Sequence, residues 1–120
     1  MVLSAPTALI CQMDIGHSLA TLCGIEIPAG SMRDSQAMLP ALLGQQQCGR
    51  SELVTQAFEA PRYALRCGQL KYIPAFRRQP EQLYNLSTDP GEQHNLAPQQ
   101  SDQAARLRQR LHELTAESAH

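Results

Sequence analysis

The sequence predicts an α+β fold: a small antiparallel β-sheet of about four strands packed against a C-terminal amphipathic helix, preceded by a short helical segment. Apolar residues in the first third of the chain recur with helical spacing, whereas those between residues 51 and 86 alternate as in strands. After residue 101 the helical period returns. The short Gly68-Gln69 connection, with glycine first, is typical of a type II′ hairpin and makes the strands on either side of it antiparallel.

The first predicted helix covers residues 15–23. Asp14 precedes it and is a suitable N-cap residue. Ile15, Leu19 and Leu22 follow at positions i, i+4 and i+7, which lie on one face of a helix. We therefore expect a helix that ends before Gly24, a residue typical of the position after a helix.

A second, shorter helical segment is predicted at residues 36–43, where Pro40 disturbs the turns. The polar stretch 45–50 follows and forms a seam between two regions. We expect two regions, residues 1–50 and a subdomain with the sheet and the last helix at residues 51–120.

Four strands are predicted in the second region, at residues 53–58, 62–67, 70–73 and 82–86. In the second of these, the alternation places Tyr63, Leu65 and Cys67 on one face. The final helix runs from Ser101 to about Glu117, and its apolar stripe consists of Ala104, Leu107, Leu111 and Leu114.

Composition excludes several classes of function. Ten basic and 11 acidic residues give a net charge of −1, so there is no electrostatic case for binding nucleic acid or an anionic membrane. No apolar stretch approaches the roughly 20 residues that cross a bilayer. Only 42% of residues are hydrophobic and 4% aromatic, which predicts a thin, aliphatic core suited to leaning on a larger body.

The cysteines are far apart and form no C-x-x-C pair, so a zinc site is not predicted. We expect them to be buried free thiols, which slightly favours a reducing cytoplasm and otherwise leaves the localisation open. The four are Cys11, Cys23, Cys48 and Cys67.

Three stretches, in this order, resemble the C-terminal portion of the sulfatase family, within the alkaline-phosphatase-like superfamily. Residues 13–28 (MDIGHSLATLCGIEIP) and 34–44 (DSQAMLPALLG) resemble D-x-x-P-T-L-L-x-L-A-G-I-x-x-P followed by D-G-x-S-L-x-P-L-L-x-G. Residues 63–73 (YALRCGQLKYI) are similar to A-x-R-x-G-x-Y-K-Y-I. Residues 82–92 (QLYNLSTDPGE) with 95–97 (NLA) are similar to E-L-Y-D-L-x-x-D-P-x-E-x-x-N-L-A. His17, Ser18 and Ser35 depart from the pattern, which has Pro, Thr and Gly there.

The resemblance implies a chemistry whose residues this chain does not carry. Such sulfatases use calcium and a formylglycine made from Cys or Ser in a C/S-x-P-S/A-x-R motif. None of the four cysteines has proline two positions on, and the stretch beginning at Ser4 (SAPTAL) lacks the arginine of the motif. We therefore expect no catalytic residue, metal site or cofactor in this chain, and no sulfatase activity from it alone.

Two groups of residues are candidates for a site. Arg62, Arg66 and Lys71 alternate away from the apolar face of the hairpin, and we expect either a solvated surface or the rim of a pocket for an anionic sulfate. A structural turn is predicted from Asp89, Pro90, Gly91 and Asn95, with positive φ at the glycine. The same strip also contains Glu92 and His94, but lacks the roughly six ordered oxygen ligands of a calcium loop.

The resemblance implies that the chain is the C-terminal fragment of a sulfuric ester hydrolase, with residues 1–50 as the end of its catalytic domain and residues 51–120 as the C-terminal subdomain. The fragment would complete the fold of the missing N-terminal catalytic domain at the edge of its substrate pocket. Two alternatives stay open. One is a non-catalytic interaction module that self-associates as a homo-oligomer. The other is the C-terminus of a phosphonate or phosphate ester hydrolase of the same superfamily.

Overall fold

The computed structural model describes residues 8–58 and 62–117 and confirms the predicted α+β fold. The chain divides into two compact units, Met1–Ser51 and Glu52–His120. The first contains two short helices, and the second contains a four-stranded sheet and the long final helix. The elements are α1 (Met13–Leu22), α2 (Leu39–Leu42), β1 (Glu52–Gln56), β2 (Tyr63–Cys67), β3 (Leu70–Ile73), β4 (Gln82–Asn85) and α3 (Ser101–Glu117).

Helix α1 begins earlier than predicted, and Asp14 is not its N-cap. Gln12 occupies the cap position without a side-chain hydrogen bond, and Asp14 lies in the first turn. Its carboxylate accepts a hydrogen bond from the backbone N–H of Cys11, at 2.9 Å, instead of bonding forward into the helix. The prediction of a capping role was wrong because the side chain is directed into the interior of the first unit.

Helix α2 is only four residues long, shorter than the predicted segment. Pro40 stands in its first turn, where a missing N–H does not interrupt the helix. Pro40 has no N–H to donate to the carbonyl four residues earlier, so the helix does not extend back toward residue 36. Met38 and Ala41 are the buried apolar residues here.

The sheet has the strand order β1-β2-β3-β4, and every neighbouring pair is antiparallel. Cys67 pairs with Leu70 across a two-residue loop whose first residue, Gly68, has φ +54°, as a type II′ hairpin requires. Strand β1 ends at Gln56, so the predicted extension to Phe58 was wrong, and the Phe58 side chain is fully exposed.

One face of the sheet packs on α3 and forms the core of the second unit. The register aligns Val54, Leu65, Tyr72 and Leu83 in a row across the four strands. The last three are fully buried, and they pack with the buried stripe of α3, which consists of Ala104, Leu107 and Leu111. Burial of each leucine side chain contributes about 1.5–3 kcal/mol, so this row and the helix stabilise one another.

A polar network closes one side of this core. The Tyr72 hydroxyl donates to Glu81 Oε2 at 2.9 Å, and Arg108 of α3 donates to both carboxylate oxygens of Glu81. Arg108, and then the tyrosine, hold the pKa of Glu81 below its usual range. Burial and the carboxylate raise the pKa of Tyr72. The network ties the loop before β4 to both the sheet and the helix.

Candidate functional site

The cations singled out in the sequence lie on the face of the sheet that is turned away from α3. Leu53, Arg66, Lys71 and Tyr84 form a cross-strand row next to the core row, with side chains on the opposite face. Like charges directly opposite one another in a sheet are unfavourable. The Arg66–Lys71 pair is therefore retained against a local electrostatic penalty.

Each cation of this row has a local partner. Lys71 Nζ lies 2.6 Å from Glu92 Oε1, an ion pair that is about one-third exposed on both sides. Arg66 Nε donates to the carbonyl of Gly68 at 2.9 Å. Because both contacts are exposed to water, an anion can compete for these groups.

Arg62 and Lys71 line one cleft of about 230 Å³, together with Thr55, Gln56, Ala57, Tyr63, Ala64 and Ile73. Arg66 does not line it. The three predicted rim candidates are thus divided: two share a cleft, and the third lies on the same face of the sheet near the hairpin turn.

The sequence reading missed a second cationic group, in the loop between β3 and β4. Phe76 and Gln79 exchange two backbone hydrogen bonds of 3.0 Å, which leaves Arg77 and Arg78 as the two residues of a tight turn. The guanidinium carbons of Arg62 and Arg77 lie 5.6 and 5.2 Å from the centre of the Phe76 ring. Adjacent arginines between Pro74 and Pro80 were the signal that the sequence offered.

The Asp89–Asn95 strip is held by hydrogen bonds within the protein. Asp89 accepts from the backbone N–H groups of Gln93 and His94 at 3.0 and 2.9 Å, and these bonds lower the pKa of its carboxyl group. Asn95 Oδ1 accepts from the N–H groups of Leu83 and Ala97, both at 3.0 Å. The strip therefore anchors the chain between β4 and α3.

Positive φ at Gly91 was a wrong prediction. The left-handed residue is Glu92, with φ +54°, and Gly91 lies outside that region. The carboxylate of Glu92 makes the ion pair with Lys71 from this conformation. That contact partly offsets the roughly 1–2 kcal/mol which a side chain loses in the left-handed region.

Asp14 organises the interior of the first unit. It is fully buried and accepts hydrogen bonds from Arg50 Nε at 2.8 Å, Arg50 Nη2 at 2.5 Å and the backbone N–H of Gln36 at 2.8 Å. The guanidinium, with the backbone donors, holds the pKa of Asp14 far below its usual range even though burial opposes the shift. The other buried polar residue, Ser18, donates to the Asp14 carbonyl and accepts from Met38 N–H.

Another cleft, of about 440 Å³, lies between α3 and the strands and includes half-buried Cys67. Its charged groups are Glu52, Glu113, Arg106 and Arg110, two of each sign. Arg110 Nη2 lies 2.6 Å from Glu52, and Arg110 Nη1 lies 3.2 Å from Glu113. Arg110 accordingly lowers the pKa of Glu52. This cleft has no surplus charge for a charged ligand.

Across residues 8–58 and 62–117, no group of three or more His, Cys, Asp or Glu side chains lies close enough to hold a metal ion. The four cysteines are free thiols, but Cys23 and Cys48 are exposed, which corrects the expectation that all are buried. No helix in the described part of the chain has the length and apolarity of a membrane span.

Comparison with known proteins connects both units to one family. The chain is 36% identical to an N-acetylgalactosamine-6-O-sulfatase of Bacteroides thetaiotaomicron over 87% of its own length and 23% of that protein. A solved structure of a 2-O GAG sulfatase superimposes with a TM-score of 0.72 at 28% identity, covering 88% of this chain and 24% of that one.

A further solved structure, from work on the metabolism of multiple glycosaminoglycans by Bacteroides thetaiotaomicron, gives a TM-score of 0.75 at 33% identity, covering 91% of this chain and 25% of that one. No protein-family model matches the chain. The chain spans about a quarter of the length of the relatives it matches. It corresponds, in sequence and in fold, to a C-terminal portion of the sulfatase family.

Proposed function

We propose that this chain is the C-terminal subdomain of a sulfuric ester hydrolase, completes the fold of the catalytic domain and borders its substrate pocket. The nucleophile and the metal ligands would lie outside these 120 residues. In such an enzyme, calcium and formylglycine supply the sulfate-cleaving chemistry, and this chain contributes packing surface and cations.

The observation that carries the proposal is the inverted burial of α1. Its apolar stripe, Ile15, Leu19 and Leu22, is 43%, 51% and 57% exposed, whereas the fully buried residues are Asp14 and Ser18. A surface helix of a globular protein normally buries its apolar stripe against the core. Exposed apolar patches of this kind mark surfaces that pack against another body.

The test uses a chimera in which this chain replaces the matching C-terminal quarter of the related N-acetylgalactosamine-6-O-sulfatase. Leu19→Lys should improve the solubility of the isolated chain by removing exposed apolar surface. In the chimera it should lower the soluble yield sharply, because an unpaired charge buried in an interface costs several kcal/mol. Ala105→Lys, at an exposed position of α3, is the control and should change neither yield.

An unchanged yield of the Leu19→Lys chimera would contradict the proposal, because the stripe would then face water in the complete protein as well. A stripe that self-associates as a homo-oligomer predicts a different pattern. In that case the isolated chain dissociates on Leu19→Lys, measured by analytical ultracentrifugation, and the chimera is unaffected.

For the substrate border, we propose that Arg62 and Lys71 attract the anionic substrate, with Arg66 adding to the field. One relative is an N-acetylgalactosamine-6-O-sulfatase and a similar solved structure is a 2-O GAG sulfatase, which supports a sulfated saccharide as the proposed substrate class of the whole enzyme. Lys71→Gln in the chimera should raise KM for a sulfated oligosaccharide about two- to fivefold at unchanged kcat. Arg106→Gln, at an exposed position of α3, should leave both constants unchanged, and an equal effect of the two substitutions would refute the role of Lys71.

A further inference from the structure

The turn between β3 and β4 has features of a binding site that the family resemblance does not include and that shares only Arg62 with the rim candidates. It consists of Phe76, Arg77, Arg78 and Gln79, with Arg62 alongside, and we refer to it as the arginine turn. These residues line a cleft of about 370 Å³. We propose that the arginine turn binds a sulfate group of a sulfated saccharide, an assignment that rests on the proposed function for the saccharide but not for the anion.

The first feature of the arginine turn, as far as the described residues show, is positive charge without a counter-charge. Three guanidinium groups converge on one cleft, and in the described part of the chain none of them has a carboxylate within ion-pairing distance. The nearby carboxylate of Glu81 is already taken by Arg108. Crowding like charges without a counter-charge is unfavourable, and an anion bound in the cleft would relieve it.

The second feature of the arginine turn is the backbone conformation of Arg77. Its φ of +55° is in the left-handed region, at the first loop position of a tight turn. In the β2–β3 hairpin the equivalent position is occupied by Gly68, which adopts this conformation without steric conflict. A long charged side chain at such a position is locally unfavourable, and conflicts of this kind concentrate at functional sites.

The third feature of the arginine turn is the preorganisation of its arginine side chains. Phe76 is half-buried, and its ring has the guanidinium groups of Arg62 and Arg77 near it at 5.6 and 5.2 Å. Stacking on an aromatic ring restricts a guanidinium group while leaving its N–H groups free to bind an anion. Pro74 and Pro80 flank the turn and restrict the chain further.

The geometry favours a sulfate over a neutral sugar. Arginine presents planar, paired N–H donors that match the oxygens of a tetrahedral or planar anion, and the cleft offers several such forks. It is open, with Arg77 and Arg78 exposed, so it suits a group carried on a chain rather than a small molecule enclosed on all sides.

The experiment measures binding of a chondroitin sulfate hexasaccharide to the full chain by isothermal titration calorimetry, with a hyaluronan hexasaccharide as the carboxylate-only probe. Arg77→Gly/Arg78→Ala should weaken chondroitin sulfate binding about fivefold or more. The double variant Arg33→Ala/Arg106→Ala removes the same charge at exposed positions elsewhere and should weaken it less than about twofold.

Arg77→Gly alone separates binding from folding. Glycine fits the left-handed position, so this variant should melt at or above the temperature of the parent while binding more weakly. The site is overturned if the turn variants bind as the charge-matched control does, and the sulfate assignment is overturned if hyaluronan binds as tightly as chondroitin sulfate. Binding by the isolated chain is independent of whether the chimera is active, so failure of the proposed function leaves this result interpretable. The same variants in the chimera, assayed by retention on immobilised chondroitin sulfate, repeat the test in a complete fold.

Discussion

Replacing Arg50 by alanine should unfold the first unit selectively, because it leaves the Asp14 carboxylate buried without its counter-charge. Arg50 supplies two of the side-chain hydrogen bonds to Asp14, at 2.8 and 2.5 Å. Its Nη2 also donates to the carbonyl of Asp34. The substitution therefore disconnects α1 from the segment that leads to α2.

Removing one partner of a buried ion pair costs about 3–5 kcal/mol. Asp14 is fully buried, but the Arg50 side chain is 10% exposed, so we expect the lower end, about 3 kcal/mol. A difference of that size is a large part of the roughly 5–15 kcal/mol that stabilises a domain. It changes the population of the open state by about two orders of magnitude.

Site-resolved amide hydrogen exchange measures this change in each unit separately. In Arg50→Ala the amides of Gln36 and Met38, which donate to Asp14 and Ser18, should lose about 100-fold in protection. Amides of the sheet should keep theirs. Arg33→Ala removes an exposed arginine of the same unit and is the control. Equal protection of Gln36 in Arg50→Ala and Arg33→Ala would refute the assigned role of the ion pair.

The same pair fixes the direction of the acid response. The folded-state pKa of Asp14 is lowered, so its contribution is complete above the ordinary Asp pKa of about 3.9 and is lost as the pH falls further, through the folded value. Asp14→Asn should flatten stability of the first unit below about pH 4. A wild-type acid profile in this variant would assign the titration to other carboxylates.

Two further pairs of substitutions test local backbone geometry by thermal melting. Gly49→Ala should destabilise the chain by several kcal/mol, because the added Cβ would lie 2.3 Å from the carbonyl oxygen of Leu9. Gly16→Ala in α1 has room for its Cβ and should stabilise the chain by about 0.5–1 kcal/mol. The reverse order of melting temperatures would contradict the close approach of Gly49 to Leu9. Glu92→Val should melt at a lower temperature than Glu92→Gly, because both variants lose the same ion pair but only valine is strained at φ +54°. Gly91→Ala should keep a free energy of unfolding within about 1 kcal/mol of the parent. Equal melting temperatures of the two Glu92 variants would exclude the left-handed conformation at this position.

Local patterns predicted the second unit well. The alternation around Leu65 and the Gly68-Gln69 turn identified the central hairpin, and the spacing of Leu107 and Leu111 identified α3. These features depend on periodicity and turn chemistry within a few residues of one another. The same analysis extended β1 too far, because nothing local indicated that pairing stops at Gln56.

Long-range contacts account for what the sequence did not reveal. Asp14 has the pattern of a helix cap, and its true partner lies 36 residues away. The apolar stripe around Leu19 was correctly read as one helix face, but its exposure depends on what packs against it. Gly91 was the obvious candidate for positive φ, yet Glu92 adopts it and reaches Lys71 from there. The arginine turn was missed because Arg77 violates the residue preference that would have identified a tight hairpin.

The most direct test of the central claim is sulfate release by the chimera from a chromogenic aryl sulfate. We expect the isolated chain to have no sulfatase activity, with or without calcium. We also expect that the chimera is soluble and turns over the substrate, and that the relative truncated before its C-terminal quarter is not active. Turnover by the isolated chain that persists in Ser4→Ala would contradict the absence of a nucleophile. A soluble chimera that binds the sulfated substrate but releases no sulfate, under conditions where the intact relative is active, would contradict the claim that this chain completes a sulfatase fold.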